Sequence, residues 1–98
     1  MLRYTPRIEN KLITKHQVTI DEVKQCISNL DPEKDHFFED TAEEHATNPP
    51  SFWFISETDM GRKLKVVIIP KDDFFQLKTA FDAKPKHIAL YEQLLNDL

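Results

Sequence analysis

Two neighbouring predicted strands, Leu64–Ile69 and Phe74–Phe81, each alternate apolar and polar side chains. Because successive side chains of a strand point to opposite faces, the polar members of both strands share one face of the sheet. That face carries Lys63, Lys65, Gln76 and Lys78, with Arg62 at its rim. Convergent cations of this kind bind a phosphate backbone. The alternative is an ordinary solvated face, on which lysines also block pairing between sheet edges.

Three further side chains are candidates for proton transfer. His87 and Tyr91 lie one turn apart in the last predicted helix, where His87 could act as a general base. The alternatives are simple exposure for His87 and, for Tyr91, core packing with its hydroxyl reaching the surface. His45 belongs to the polar cluster Glu43-Glu44-His45, for which the alternative is a solvated loop.

The sequence predicts no metal site and no cofactor. None of the four histidines forms an H-x-x-x-H or H-E-x-x-H pair, and the acidic residues lack the spacing of a calcium loop. A chain with one glycine cannot form a glycine-rich phosphate loop. The single cysteine, Cys26, is expected to be a small buried residue of the second helix.

Length and charge predict one domain over residues 1–98 with an acidic irregular segment at 31–50. That segment carries seven acidic residues and one basic residue, so it accounts for the net charge of −4. No apolar run approaches the roughly 18–20 residues of a membrane span, and the first residues lack the apolar region of a signal peptide. The lone cysteine fits a reducing compartment, so we expect a cytoplasmic protein without a membrane partner.

Local signals predict the elements of the first half. Met1–Thr5 is a candidate edge strand, and Thr5-Pro6 begins a first helix that ends near His16. The sequence Thr19–Glu22 is a capping box for a second helix, which stops at Asp31-Pro32.

The second half predicts three strands and a last helix. Phe52–Ser56 is apolar on both faces and should be an interior strand, and the short loops that follow indicate an antiparallel meander. Gly61 lies in a loop of about four residues, where a positive φ favours glycine. The last helix starts at Pro85, and its inner face is expected to carry Ile88, Tyr91, Leu94 or Leu95, and Leu98. The order is (β)ααβββα, an α+β domain with helices on one face, that of Leu64, Val66, Ile68, Phe75, Leu77, Thr79 and Phe81.

Several motifs resemble the BrnT-type toxin family. Asn10-Lys11-Leu12 and the run from Lys15 to Thr19 are similar to its N-terminal helix and K-H-G-V-[ST] pattern. The stretch from Thr58 to Arg62 resembles its central T-D-x-G-R hairpin, and Leu77–Phe81 with Ile88 and Tyr91 resembles the closing strand and helix of a related subgroup. Together these motifs cover most of the chain outside 31–50.

The resemblance implies a RelE-like fold and a metal-independent ribonuclease toxin of a type II toxin–antitoxin pair. Lys65, Lys78 and Arg62 would hold the phosphate, and His87, Tyr91 or His45 would move protons. RNA would be the substrate, and a small cognate antitoxin would neutralise the toxin. This chain has Phe81 where the family's closing motif has an arginine, His87 where it has an acidic residue, and Gln17 in place of a glycine. The alternative is therefore a degenerate member of the same fold that acts as a protein-binding module.

Overall fold

The computed structural model describes residues 1–41 and 49–98, which form a five-stranded sheet with three α-helices. A π-helical turn, Leu12–His16, continues the first helix. The mixed α+β class is confirmed, and the elements follow the predicted order with one additional strand in the segment that was predicted to be irregular. In chain order the elements are β1 (Leu2–Arg3), α1 (Pro6–Lys11), α2 (Ile20–Ser28), β2 (Phe38–Glu39), β3 (Phe52–Glu57), β4 (Lys63–Pro70), β5 (Phe75–Asp82) and α3 (Pro85–Asn96).

The strand order across the sheet is β1-β5-β4-β3-β2. Strands β3, β4 and β5 form the predicted antiparallel meander, and β2 pairs antiparallel with β3. The edge strand β1 pairs parallel with β5, an orientation that the sequence did not indicate. Within the acidic segment, β2 covers the outer edge of β3, which makes β3 an interior strand as predicted.

The pairing of β4 with β5 contains a β-bulge. Val67 pairs with Thr79, whereas the next residue, Ile68, pairs with Leu77. Lys78 is therefore the extra residue of β5 at this bulge. A bulge interrupts the alternation of side chains and kinks the strand.

The bulge brings Thr79 and Phe81 to the same face as Lys65, which pairs directly with Phe81. The prediction that Thr79 and Phe81 would share the apolar face with Phe75 and Leu77 was wrong. It assumed strict alternation along β5, which a bulge breaks. An aromatic ring thereby lies beside Lys65 on the same face.

Helices cover both faces of the sheet, which corrects the prediction of helices on one face. The side chain of Ser56 in β3 points toward α2, where its Oγ donates a 2.7 Å hydrogen bond to the carbonyl of Cys26. Trp53 points to the opposite face, and the Tyr91 ring of α3 lies 5.6 Å from it. Strand β3 is buried on both faces, so one helical layer could not have covered it.

The buried face of α2 follows its sequence pattern. Ile20, Val23 and Cys26 are buried and pack with the strands, and burial raises the pKa of the Cys26 thiol to about 12. In α3 the buried residue is Tyr91, whereas Leu98 is 74 % exposed because the helix ends at Asn96. The predicted inner face of α3 was therefore wrong at its last position.

Caps and turns follow the local sequence. Thr19 and Glu22 form the predicted reciprocal capping box at the start of α2. In the β3–β4 turn, Gly61 has a φ of +84° and its N–H donates to the carbonyl of Thr58 at 2.9 Å. The prediction of a glycine that permits a positive φ is confirmed.

Candidate functional site

A cavity of about 320 Å³ is lined by residues of α1 and the π-helical turn and by residues of β4 and β5. We name it the cationic cleft, because four lysines line it together with one carboxylate, that of Asp40. The lysines are accompanied by a histidine and by the ring of Phe81. The basic and aromatic lining residues are Lys11, Lys15, Lys65, Lys78, His16 and Phe81.

One lip of the cationic cleft is the end of the π-helical turn, where His16 is the last residue. Gln17 follows in the left-handed conformation, with φ 53° and ψ 40°. Its N–H donates to the carbonyl of Ile13 at 3.2 Å, and the N–H of Val18 donates to the carbonyl of Leu12 at 3.0 Å. This pair of bonds closes a helix end in the manner of a Schellman motif and fixes the position of His16.

Arg62 holds the same turn from the other side. Its Nη2 donates to the carbonyl of His16 at 3.2 Å, and its Nη1 donates to the carbonyl of Gln17 at 2.9 Å. Its Nη1 also pairs with the Glu22 carboxylate at 3.1 Å, and its Nε pairs with Asp82 at 2.7 Å. Arg62 is therefore a structural clasp between the turn, α2 and β5. It is not the free rim cation that the sequence predicted, because its donors bind partners in distant parts of the chain.

The clasp shifts the ionisation of its members. The hydrogen bond between Arg62 and Asp82 raises the pKa of the guanidinium and lowers the pKa of the carboxyl group. Burial opposes the charge of Glu22, but the amide of Thr19 and the guanidinium together hold the pKa of Glu22 below its usual range. All three groups therefore stay charged at neutral pH.

Phe81 is the centre of the ring contacts in the cationic cleft. The centroid of the His16 ring lies 5.6 Å from that of Phe81, and the centroid of the His87 ring, at the start of α3, lies 5.8 Å from it. Lys65 Nζ lies 5.8 Å from the centroid of Phe81 and 4.6 Å from that of Trp53. One aromatic ring thus brings two imidazoles and an ammonium group together.

His87 is held in one tautomer by the helix start. The N–H of Lys84 donates a 3.2 Å hydrogen bond to Nδ1 of His87, so the neutral ring carries its proton on Nε2. Burial lowers the pKa of His87, and the charges of Lys65, Lys86 and Lys84 lower it further. His87 is therefore neutral at pH 7 and presents an N–H donor.

His16 is also neutral at pH 7, from similar causes. Burial lowers its pKa first, and the charges of Lys15 and Lys11 add to this, against an opposing effect of Asp82. Lys65 is half-buried, and burial lowers its pKa against an opposing effect of Asp40. The cationic cleft thus combines fixed positive charge with two uncharged imidazoles that can accept or donate protons.

The structure brings together only some of the residues that the sequence predicted as a site. Lys65 and Lys78 both line the cationic cleft, and His87 borders it through Phe81. Gln76 pairs with Ile69 farther along β5, away from the cleft lining. Lys63 lies beside the opposite side of α3. His45, with Glu43 and Glu44, lies outside the described residues.

Tyr91 is a core residue rather than a member of the cationic cleft. It is 5 % exposed, and burial raises its pKa to about 12. Its hydroxyl lies 3.1 Å from Oδ1 of Asp35 and accepts a 3.3 Å hydrogen bond from the N–H of His36. The core-packing alternative for Tyr91 is confirmed, and the hydroxyl ties α3 to the loop before β2.

A second depression, of about 560 Å³, lies on the other side of α3. We name it the acidic groove, because five carboxylates line it against two lysines, Lys34 and Lys63. Apolar side chains of β3 and α3 contribute to its lining. The carboxylates belong to Asp31, Asp35, Glu57, Asp59 and Glu92.

Sequence reasoning missed His16, Lys11 and Lys15 as members of the site. Lys11 and Lys15 are spaced by one helical turn and therefore fall on one side of the helix, directly beside His16. That spacing was a usable signal. Phe81 was assigned to the wrong face because of the bulge at Lys78.

Within residues 1–41 and 49–98, no group of three or more His, Cys, Asp or Glu side chains is arranged to hold a metal ion. Across the same ranges, no helix has both the length and the apolar character needed to cross a membrane. No protein-family model matches this chain, and no curated protein matches it.

Proposed function

We propose that this chain is a metal-independent endoribonuclease with a RelE-like fold, the toxin of a type II toxin–antitoxin pair. The observation that carries the proposal is the cationic cleft, which is lined by four lysines, the neutral His16 and Phe81, and is bordered by the neutral His87 through the Phe81 ring. Lysines attract and hold an RNA backbone. Imidazoles with pKa values near or below neutrality are suited to proton transfer at physiological pH.

RNA can be cleaved by such a group without a metal ion. A base removes the proton of the ribose 2′-hydroxyl, and the 2′-oxygen attacks the adjacent phosphorus while the bond from phosphorus to the 5′-oxygen breaks. An acid donates a proton to that leaving oxygen. The products are a 2′,3′-cyclic phosphate and a 5′-hydroxyl, so protons and bonds balance without a further reactant.

The cleft offers a residue for each role. His16 is the base, since it is neutral at pH 7 and lies at the lip formed by the π-helical turn. His87 is the donor to the leaving oxygen, because its Nε2 carries the proton. The incoming phosphate raises the pKa of His87 and favours the protonated acid. Lys65 and Lys78 stabilise the negative charge that develops on the phosphorane.

The test is cleavage of a single-stranded RNA by the purified chain in the presence of a chelator. We expect cleavage with a cyclic phosphate product, and we expect Lys65→Ala with Lys78→Ala to lower the rate by about 100-fold or more. The matched control is Lys63→Ala with Lys71→Ala, which removes the same charge outside the cleft and should leave the rate within about two-fold. Equal losses in both double variants would contradict the assigned roles.

A cellular test addresses the toxin and its partner. Inducible expression of the chain in a bacterium should arrest growth with loss of mRNA, and co-expression of the neighbouring gene should restore growth. Expression of the Lys65→Ala, Lys78→Ala variant should not arrest growth. Arrest by that variant at equal soluble yield would argue against RNA cleavage in the cationic cleft as its cause.

The alternative function, a protein-binding module of the same fold, is favoured by the acidic groove. A groove of about 560 Å³ with five carboxylates fits a lysine- or arginine-rich segment of a partner protein. The two functions are distinguished by charge reversal at Glu57 and Glu92. The binding module is supported over the nuclease by two results together: the charge-reversed variant no longer binds a partner that the wild type captures, and the wild type does not cleave RNA.

A further inference from the structure

We propose that the cationic cleft contains a nucleobase subsite, in which an unpaired base stacks on Phe81 while Lys65 and Lys78 hold the adjacent phosphates. The inference rests on the proposed function and deepens it, because it assigns the part of the RNA that Phe81 contacts. The ligand class is a single-stranded oligonucleotide with accessible bases.

The first argument is the position of the ring. The bulge at Lys78 places Phe81 on the face of Lys65, its direct partner in β4, rather than on the face of Leu77. The ring is half-buried and lines the cationic cleft. On the same face Trp53 and Val67 are 5 % and 4 % exposed, whereas part of the Phe81 ring stays accessible from the cleft.

The second argument is the arrangement of groups around the ring. The rings of His16 and His87 are inclined to Phe81 by 40° and 66°, so neither is parallel to it as a stacked ring would be. Lys65 Nζ lies 5.8 Å from the ring centroid and is also held over Trp53 at 4.6 Å. A base on Phe81 would therefore have a fixed cation beside it, where the phosphate of the same nucleotide can bind.

The third argument is the combination of chemistries. Lysines alone select any polyanion, because they read only phosphate charge. An aromatic ring among them adds a contact that every nucleobase can make, since each has a π-face. The cleft should therefore prefer a strand with bases over a bare sugar–phosphate backbone.

The test measures binding of two uncleavable oligomers of equal length to the full chain: an oligodeoxyadenylate, and an abasic deoxyribose-phosphate oligomer. We expect the wild type to bind the oligodeoxyadenylate about ten-fold more tightly. Phe81→Leu should remove that preference and leave the affinity for the abasic oligomer unchanged, whereas Phe81→Trp should keep the preference. A 2-aminopurine base in the strand should lose fluorescence on binding to the wild type and keep it with Phe81→Leu.

The matched control is Phe74→Leu. Phe74 is half-buried and has the Arg3 guanidinium 4.2 Å from its ring centroid, but it precedes β5 and lies outside the cationic cleft. This variant should keep the preference for bases, and thermal unfolding should show that both leucine variants are folded.

The outcomes separate the inference from the proposed function. If the wild type binds both oligomers equally and Phe81→Leu changes neither, the subsite is overturned while phosphate binding stands. If the wild type binds neither oligomer and does not cleave RNA, the proposed function is overturned and the subsite with it. If Phe74→Leu loses the preference as fully as Phe81→Leu, the effect is not local to the cleft and the inference is overturned.

Discussion

Helix α3 borders two regions of opposite charge, the cationic cleft and the acidic groove. His87 contacts Phe81 on the cleft side, whereas Ile88 and Glu92, which project from an adjacent side of the helix, line the groove. Tyr91 is buried and also contributes to the lining of the groove. A net charge of −4 describes neither region, because basic and acidic side chains are separated by the fold.

The difference between the regions is one of chemistry as well as charge. In the cationic cleft the titratable groups are half-buried beside lysines, so the pKa values of both histidines are lowered. In the acidic groove, Asp59 accepts a hydrogen bond from Asn29, and Asp35 from Tyr91. The cleft therefore has groups suited to proton transfer. The carboxylates of the groove are suited to stabilising the fold through hydrogen bonds or to binding a cationic partner.

The largest expected effect is on catalysis. His16→Asn and His87→Asn should each lower the rate of RNA cleavage by about 100-fold or more, because each removes a proton-transfer group. The matched control is Glu92→Gln in the acidic groove, which should leave the rate unchanged. If Glu92→Gln lowered the rate of RNA cleavage as much as either histidine variant, catalysis could not be assigned to the cationic cleft rather than to the acidic groove.

The pH dependence follows from the direction of the histidine shifts. A lowered pKa means that the imidazole loses its proton at a pH below the ordinary value of 6.5. The rate supported by the neutral base His16 should therefore already exceed half of its maximum at pH 6.5 and should fall as the pH decreases through the lowered pKa. An acid limb centred above pH 7 in the profile of kcat/KM would contradict the environment described for His16.

The next largest effect concerns the clasp that positions His16. Arg62→Ala should lower the free energy of unfolding by about 2–3 kcal/mol, since it leaves two carbonyls and two carboxylates without their donor. Arg62→Lys should recover only part of this, because an ammonium cannot replace the planar fork. Urea unfolding of the three proteins checks the order, and equal stability of wild type and Arg62→Ala would contradict the clasp.

Acid should weaken the same clasp. The folded-state pKa values of Asp82 and Glu22 are depressed, so their contribution is present above the ordinary values of 3.8 and 4.5 and is lost as the pH falls through the lower folded-state values. Glu22 should contribute more than Asp82, whose side chain is 67 % exposed and screened by solvent. The stability difference between wild type and Arg62→Ala should therefore narrow below about pH 4.

The next effect is about 1 kcal/mol of unfolding free energy and tests whether Tyr91 takes part in the chemistry of the cationic cleft. Tyr91→Phe removes a hydroxyl bonded to Asp35 and to the backbone of His36, so it should cost about 1 kcal/mol of unfolding free energy. RNA cleavage should be unchanged after allowance for folding, because the hydroxyl lies outside the cationic cleft. A fall in the cleavage rate of folded Tyr91→Phe would restore Tyr91 as a proton-transfer residue.

Local features of the fold were predictable from the sequence. The capping box at Thr19, the positive φ at Gly61 and the antiparallel meander all depend on residues close together in the chain. The bulge at Lys78 and the position of α3 on the second face were not predicted. Both depend on how strands and helices pack, and no local pattern of residue types determines them.

The candidate site divides in the same way. Alternation along the strands predicted that Lys65 and Lys78 would lie together, and both line the cationic cleft although Lys78 is the bulge residue of β5. Alternation could not show that Arg62 binds His16, because they are 46 residues apart and the contact is to a carbonyl oxygen. The structure shows two further residues in the candidate site. His16 lies at the end of the π-helical turn, and Phe81 follows the bulge in β5.

The smallest expected effect is a gain in stability at the lip of the cationic cleft. Gln17 is the only non-glycine residue with a positive φ in the described part of the chain, and a side chain in that conformation costs roughly 1 kcal/mol. Gln17→Gly should therefore raise the free energy of unfolding by about 0.5–1 kcal/mol. Gln17→Ala is the control, since it removes the side chain but keeps the Cβ and should bring no gain. The Gln17 carbonyl still accepts from Arg62 in both variants, so His16 should remain in place and RNA cleavage should be preserved. A stabilised Gln17→Gly protein with lost cleavage would mean that the cleft depends on strain or on the glutamine side chain at this turn, rather than on the Arg62 clasp.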